Sequence, residues 1–244
     1  VMLSEFVIGR RSQRDPVGAF KTLAPKTAWP LVGFIGITAA FTILAFYTTV
    51  AGWTLEYLYL SFVNGFGKAQ KAELSTQFSG FVSDGLRPVF WQMVFMAMTA
   101  FIILKGVKNG IEKYTKIMMP MLLIILLLLV VRSVTLPNSA DGLKFLFQPD
   151  FSKIGAQAIL QALGQAFFSL SIGMGTLITY GSYISKKEIL SNTAISVSLI
   201  DTFVAVLAGI AIFPAVFSFG IAPEAGPSLV FITLPMIFSQ MSGG

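Results

Sequence analysis

Charge is missing from long stretches of this chain, and the length of each stretch decides what it can form. Between Lys26 and Glu56 lie 29 uncharged residues, which as a helix rising about 1.5 Å per residue exceed a hydrocarbon core about 30 Å thick. This predicts a membrane span at roughly 29–57. Arg87 and Lys105 enclose 17 uncharged residues, and Lys116 and Arg132 enclose 15; both runs suffice if the flanking cations reach the headgroups. Residues 154–185 hold no charge and residues 189–223 hold one, Asp201. With the end of a helix at 1–9, the pattern predicts five complete spans and one partial span.

Composition agrees. Of 244 residues, 55% are hydrophobic and 11% charged, with 23 Phe and a mean hydropathy of +0.79, whereas a soluble domain carries about 25% charged residues. The chain is read as an all-α polytopic membrane protein lying in the lipid bilayer. It has no Cys and no His, which removes disulfides, thiol chemistry and the commonest general base and metal ligand, so no enzyme is expected. The net charge of +6 is interleaved with apolar runs rather than gathered on one soluble face, so no nucleic-acid partner is expected. Eleven of the 17 Lys and Arg residues fall in the loops at 10–26, 105–116 and 184–190, which predicts those loops to be cytoplasmic. "RRSQRDP" and "KKE" read as solvated parts of them, and Glu56, beside Trp53 and Tyr57, reads as a marker of the external interface.

No cleavable signal is visible, because Ser4-Glu5-Phe6 to Arg10-Arg11 reads as the cytoplasmic end of a helix. The chain opens in mid-pattern and ends at Gly243-Gly244 without a closing element, as expected of a fragment. Near that end the apolar run 229–238 is about half the roughly 20 residues a crossing needs, and predicts a short external helix that dips back toward the protein.

One span undermines its own helix. "FFSLSIGMGTLITYGSY" (167–183) places Gly173 and Gly175 inside an apolar run, each disfavouring helix by about 1 kcal/mol relative to Ala. Lipid cannot satisfy the backbone groups so freed, and a break there must line a cavity, face other helices or hold an ion. Small residues also let helices pack closely. Two further features favour a ligand. Asp201 lies about twelve residues into the next run, where an ionised Asp is disfavoured by about 2.5–3.5 kcal/mol, with no intramembrane Lys or Arg to pair with it. It can be protonated and bonded to Ser or Thr, but a cation or proton site is the stronger reading. In "TILAFYTTVAGW", Ile43 and Tyr47 share one helical face, and a buried Tyr hydroxyl needs a partner.

These segments closely resemble the neurotransmitter:sodium symporter family, which includes the bacterial leucine transporter, as a bacterial sodium-dependent amino-acid transporter. "SEFVIGR" resembles the end of the family's second helix, "YTTVAGWTLEY" its third, "GQAFFSLSIGMGTLITYGSY" its sixth, "FVAVLAGIAIFP" its seventh, and "GPSLVFITLPMIFSQMSGG" the external helix before its eighth. The resemblance implies a partial inverted-repeat transporter fold with a discontinuous sixth helix. Residues 1–244 would form one incomplete transmembrane transporter domain, lacking helix one and helices eight onward. Multi-pass insertion in the plasma membrane, in a bacterium the inner membrane, follows.

By the same resemblance Tyr47 hydrogen-bonds the substrate carboxylate and Phe168 forms an aromatic lid above it. Ile43 and Met174 line the side-chain pocket, and Ser169 and Ser171 lie on the unwound segment and contact substrate. Met174 replaces the phenylalanine of the leucine transporter with a flexible thioether. Ser169 and Asp201 hold sodium, the coupled ion, and no organic cofactor is implied. Tyr47 and Phe168 also gate the site, with Gln165 beneath the outer gate and Ser182 and Tyr183 at the cytoplasmic one. Asp201 stands where eukaryotic members usually carry Asn, and Ala205 where the leucine transporter carries Glu. The implied function is sodium-coupled import of an amino acid, apolar or aromatic, by alternating access and without chloride. A receptor of the same fold that binds amino acid without moving it would present the same residues.

Overall fold

The computed structural model describes residues 1–63, 71–220 and 229–235. Every regular element in them is helical. In chain order they are α1 (Met2–Ser12), α2 (Pro16–Leu23), α3 (Pro30–Phe62), α4 (Lys71–Ser83), α5 (Arg87–Leu104), α6 (Lys113–Val134), α7 (Ser139–Phe147), α8 (Ala156–Ser169), α9 (Thr176–Tyr183) and α10 (Leu190–Ser218). π-helical turns at Val107–Glu112 and Leu229–Thr233 and a 3₁₀ turn at Phe151–Lys153 complete them. Among the described residues four helical stretches, Pro30–Phe62, Arg87–Leu104, Asn109–Val134 and Leu190–Ser218, are long and apolar enough to cross a membrane. The predicted span at 154–185 is instead two short helices, α8 and α9, separated by Leu170–Gly175.

The chain divides into two compact units. One comprises Val1–Ala45 and Asp150–Val204, the other Phe46–Pro149 and Ala205–Gly244. In the first unit, α1 packs along α9 around a buried cluster of Met2, Phe6, Leu177 and Leu190. Burying side chains of this kind is worth about 1.5–3 kcal/mol each. Glycines set the spacing: a Cβ on Gly9 would fall 2.0 Å from the Ile178 carbonyl oxygen, and one on Gly181 would fall 2.8 Å from that of Phe6. The predicted cytoplasmic loop at 10–26 is not a loop throughout. Asp15 accepts hydrogen bonds from the Val17 and Gly18 amides at 3.0 and 2.9 Å, and Pro16 sits in the first turn where its missing N–H is harmless, so α2 forms inside it. The predicted loop at 105–116 likewise contains the π-helical turn and the start of α6, and the one at 184–190 ends in the first residue of α10.

In the second unit, Asp84 starts α5 by accepting the Leu86 and Arg87 amides at 2.8 and 2.9 Å. Those two bonds hold its carboxyl below the usual carboxylate range, so this stabilisation is present above pH ~4 and is lost as the pH falls through the lowered folded value. Phe231 is buried, its ring stacked on Phe78 at 5.5 Å and edge-on to Trp53 and Tyr57 at 5.6 and 5.0 Å. This seats the Leu229–Thr233 turn on α3 and α4. The predicted external helix at 229–238 is helical as far as it is described, to Pro235; its remainder lies outside the described residues. No residue of α5 is buried, and α6 buries only Ser133, as suits helices whose surroundings are apolar.

Candidate functional site

The joint between α8 and α9 is built by residues that leave the helical region. Ser171, Gly173 and Gly175 have φ of +54°, +88° and +75°. A left-handed backbone is free for Gly but disfavours an L-residue such as Ser by roughly 1–2 kcal/mol. α8 closes with the Ser171 amide on the Phe168 carbonyl at 3.1 Å and the Ile172 amide reaching back to Phe167 at 2.9 Å. α9 opens at Gly175, whose carbonyl accepts the Thr179 amide at 3.0 Å. The hydrogen-bond ladder is therefore interrupted at Leu170–Gly175, the stretch that the two glycines marked in the sequence.

Ser169, the last residue of α8, faces Asp201 on α10. Its Oγ lies 2.6 Å from Oδ1 and 2.7 Å from Oδ2 of the carboxylate, so one hydroxyl proton serves both oxygens. A hydroxyl also carries acceptor lone pairs; turned the other way, it and the carboxylate present oxygen ligands to one point. Hard cations take such ligands, and the anionic oxygens supply a charge that attracts one.

The structure places the other predicted residues as follows. Ser171 and Met174 are on the joint, both half-buried. Phe168 is next to Ser169 at the end of α8, with Gln165 one turn earlier. Ser182 and Tyr183 end α9; the Ser182 hydroxyl donates to the Thr179 carbonyl at 2.7 Å and Tyr183 is exposed. Ile43 and Tyr47 lie one turn apart on α3, and the Tyr47 ring meets Phe46 edge-on at 6.2 Å. Direct side-chain contact among the predicted residues is thus seen for Ser169 and Asp201, while Ser171 and Met174 share the joint's backbone.

Two carboxylates carry more than the sequence reading assigned. Glu5, on α1, is 7% exposed, and its Oε1 accepts the Gly173 amide at 2.8 Å. Its Oε2 is buried without a hydrogen-bond partner among the described residues. The carboxylate thus holds one of the backbone donors that the broken helix released. The available signal was the one that flagged Asp201, a carboxylate in an apolar run; the nearby Arg10 and Arg11 obscured it. Glu56 is not a surface marker but is 2% exposed, ion-paired with Arg87 and hydrogen-bonded by the Trp91 indole. About two turns earlier on α3, Thr48 is buried and accepts from the Gln92 side-chain amide at 3.0 Å, so polar contacts join α3 to α5.

Comparison with known proteins agrees with this architecture. A solved structure of MhsT in complex with L-phenylalanine superposes with a TM-score of 0.91 at 46% identity, covering 99% of this chain and 55% of that one. The same all-α fold with a discontinuous helix therefore holds here, within an inverted-repeat transporter architecture. The uncharacterized sodium-dependent transporter YhdH of Bacillus subtilis (strain 168) is 40% identical over 244 residues, all of this chain and 54% of the relative. The uncharacterized sodium-dependent transporter MJ1319 of Methanocaldococcus jannaschii is 33% identical over 99% of this chain and 52% of its own length. The chain spans about half the length of these relatives. Residues 70–244 match the family described as Sodium:neurotransmitter symporter family. A broken helix with a serine–aspartate pair at its joint, set among spans of this order, thus has a lineage: the chain is a multi-pass membrane protein and belongs to the sodium:neurotransmitter symporter family.

Proposed function

We propose that the full-length protein is a sodium-coupled symporter that imports an apolar or aromatic amino acid by alternating access, independently of chloride. The observation that carries the reading is the Ser169–Asp201 pair at the interrupted helix. There a hydroxyl and a carboxylate meet at the end of a helix whose next residues leave the helical region, which offers the oxygen ligands a cation needs. Residues 1–244 are read as part of one transmembrane transporter domain, family helices two to seven with the external helix before helix eight.

Sodium is bound by Asp201 and Ser169, the serine proton turning away as the ion enters. The substrate carboxylate lies beside that ion, and the Tyr47 hydroxyl donates to it. The substrate side chain lies against Ile43 and Met174, with Phe168 above and Ser171 on the unwound backbone. Gln165 supports the outer gate, and Ser182 and Tyr183 the cytoplasmic gate. Coupling follows from shared charge: the sodium ion offsets the substrate carboxylate and Asp201, so neither ligand binds well alone. The L-phenylalanine bound to MhsT supports the substrate class.

The test is uptake of radiolabelled phenylalanine and leucine by the full-length protein in proteoliposomes under an imposed inward sodium gradient. Accumulation that collapses when the gradient is dissipated is expected. Sodium-dependent binding without accumulation would identify a receptor instead.

A further inference from the structure

Gly36 lies on α3 seven residues before Ile43 and therefore on the same face. A Cβ built on it would be 3.1 Å from the Met174 carbonyl carbon, 3.3 Å from its oxygen and 3.3 Å from the Gly175 nitrogen. All three atoms are main chain, and all belong to the joint. One turn earlier, a Cβ on Gly33 would meet the Pro16 carbonyl oxygen at 2.8 Å, while one on Gly175 would meet the Pro16 ring at 2.6 Å. α3 thus rests on α2 at Gly33 and on the joint at Gly36, and the α2 proline closes the circuit against Gly175. No flexible side chain separates these backbones.

We propose that Gly36 is a positioning residue that sets the gap between α3 and the joint, and through it the size of amino-acid side chain the protein accepts. The proposal rests on the reading that Met174 and Ile43 line the substrate pocket. Met174 is bracketed by Gly173 and Gly175, both at positive φ, so no helical ladder resists a push on its backbone. A methyl group at position 36 requires that backbone to yield by a few tenths of an ångström. Acting as a spacer, it moves Met174 away from the α3 face that also carries Ile43. Apolar pockets discriminate by roughly 10–200-fold for a single methylene, so a displacement of this size is enough to re-rank substrates.

The experiment compares the full-length protein with its Gly36→Ala and Gly52→Ala variants. Gly52 is a control on the same helix: its Cβ would meet the Gln92 backbone nitrogen at 2.7 Å, a harsher clash that does not involve the joint. Sodium-dependent binding of alanine, leucine, phenylalanine and tryptophan is measured, with the sodium half-saturation. In parallel the Met174 methyl resonance, assigned with Met174→Leu, is followed in [methyl-¹³C]methionine-labelled protein. Gly36→Ala is expected to shift preference toward tryptophan over alanine by roughly three- to tenfold, to leave the sodium half-saturation unchanged and to move the Met174 resonance. Gly52→Ala is expected to do neither. An unshifted resonance, an unchanged preference or a shift toward alanine overturns the proposal. So does a Gly36→Ala protein that fails to fold, because the contact would then be a packing requirement. If the unsubstituted protein binds no amino acid, the functional reading fails with the pocket claim, while the resonance still decides whether Gly36 positions Met174.

Discussion

A carboxylate inside an apolar segment has to be paired, hydrogen-bonded or neutralised, and Asp201 and Glu5 meet that demand at one joint with different partners. Asp201 takes a hydroxyl that can rotate away, whereas Glu5 takes a main-chain amide that cannot. The first contact suits an exchangeable ion and the second a fixed shape. Asp201→Ala should therefore abolish the sodium-dependent component of amino-acid binding in the full-length protein; normal sodium affinity in that variant would remove the residue from the site. Glu5→Gln retains an oxygen acceptor for the Gly173 amide and should keep most of the binding. Glu5→Leu withdraws it, with a loss of about 1.5–3 kcal/mol expected for a bond to a charged group. Equal affinity in the two variants, read by titration calorimetry, would show that the hydrogen bond does not shape the joint. Asp201 was legible because it is the one charge in a long uncharged run. The role of Glu5 was not, since its partner lies 168 positions away.

At the scale of elements, the spans were legible because length and lack of charge decide them. The break at Leu170–Gly175 was legible because Gly weakens a helix wherever it sits. The short helices α2, α4 and α7 were not read from the pattern. They are polar enough to pass for loops, and contacts elsewhere hold them, as where α7 lies against α10: a Cβ on Gly142 would come within 2.5 Å of the Pro214 backbone. The pairing of α3 with α5 through Glu56 was also hidden, because a Glu beside aromatic residues is equally common at an interface. That pair is asymmetric, the Glu56 side chain being 3% exposed and that of Arg87 55%. Arg87→Ala strands a buried carboxylate and should destabilise the protein by about 3 kcal/mol. Glu56→Gln leaves an Arg able to reach water and should lower stability by about 1 kcal/mol. Thermal unfolding of the two full-length variants in detergent checks the order, and the reverse order would mean that Glu56 is not buried in the membrane-embedded protein.

For the whole molecule, the question is how its charges balance during transport. If the proposed sodium site is right, and Ala205 stands where the resemblance puts a Glu in the leucine transporter, we propose that Asp201 supplies the negative charge that chloride provides in other members. Uptake should be unchanged when chloride is replaced by gluconate, and Asp201→Asn should make it chloride-dependent; collapse of the unsubstituted protein's uptake in gluconate would contradict this assignment. By itself the sequence determined the membrane setting, the position of four long apolar helices, the weak point in the broken segment and the acid left without a cationic partner. Each of these depends on the local solvation of a segment, which composition and spacing specify. Only the tertiary structure decided that Ser169 meets Asp201, that Glu5 holds Gly173 and that Gly36 rests against Met174. Those contacts join segments distant along the chain, which local composition and spacing cannot specify.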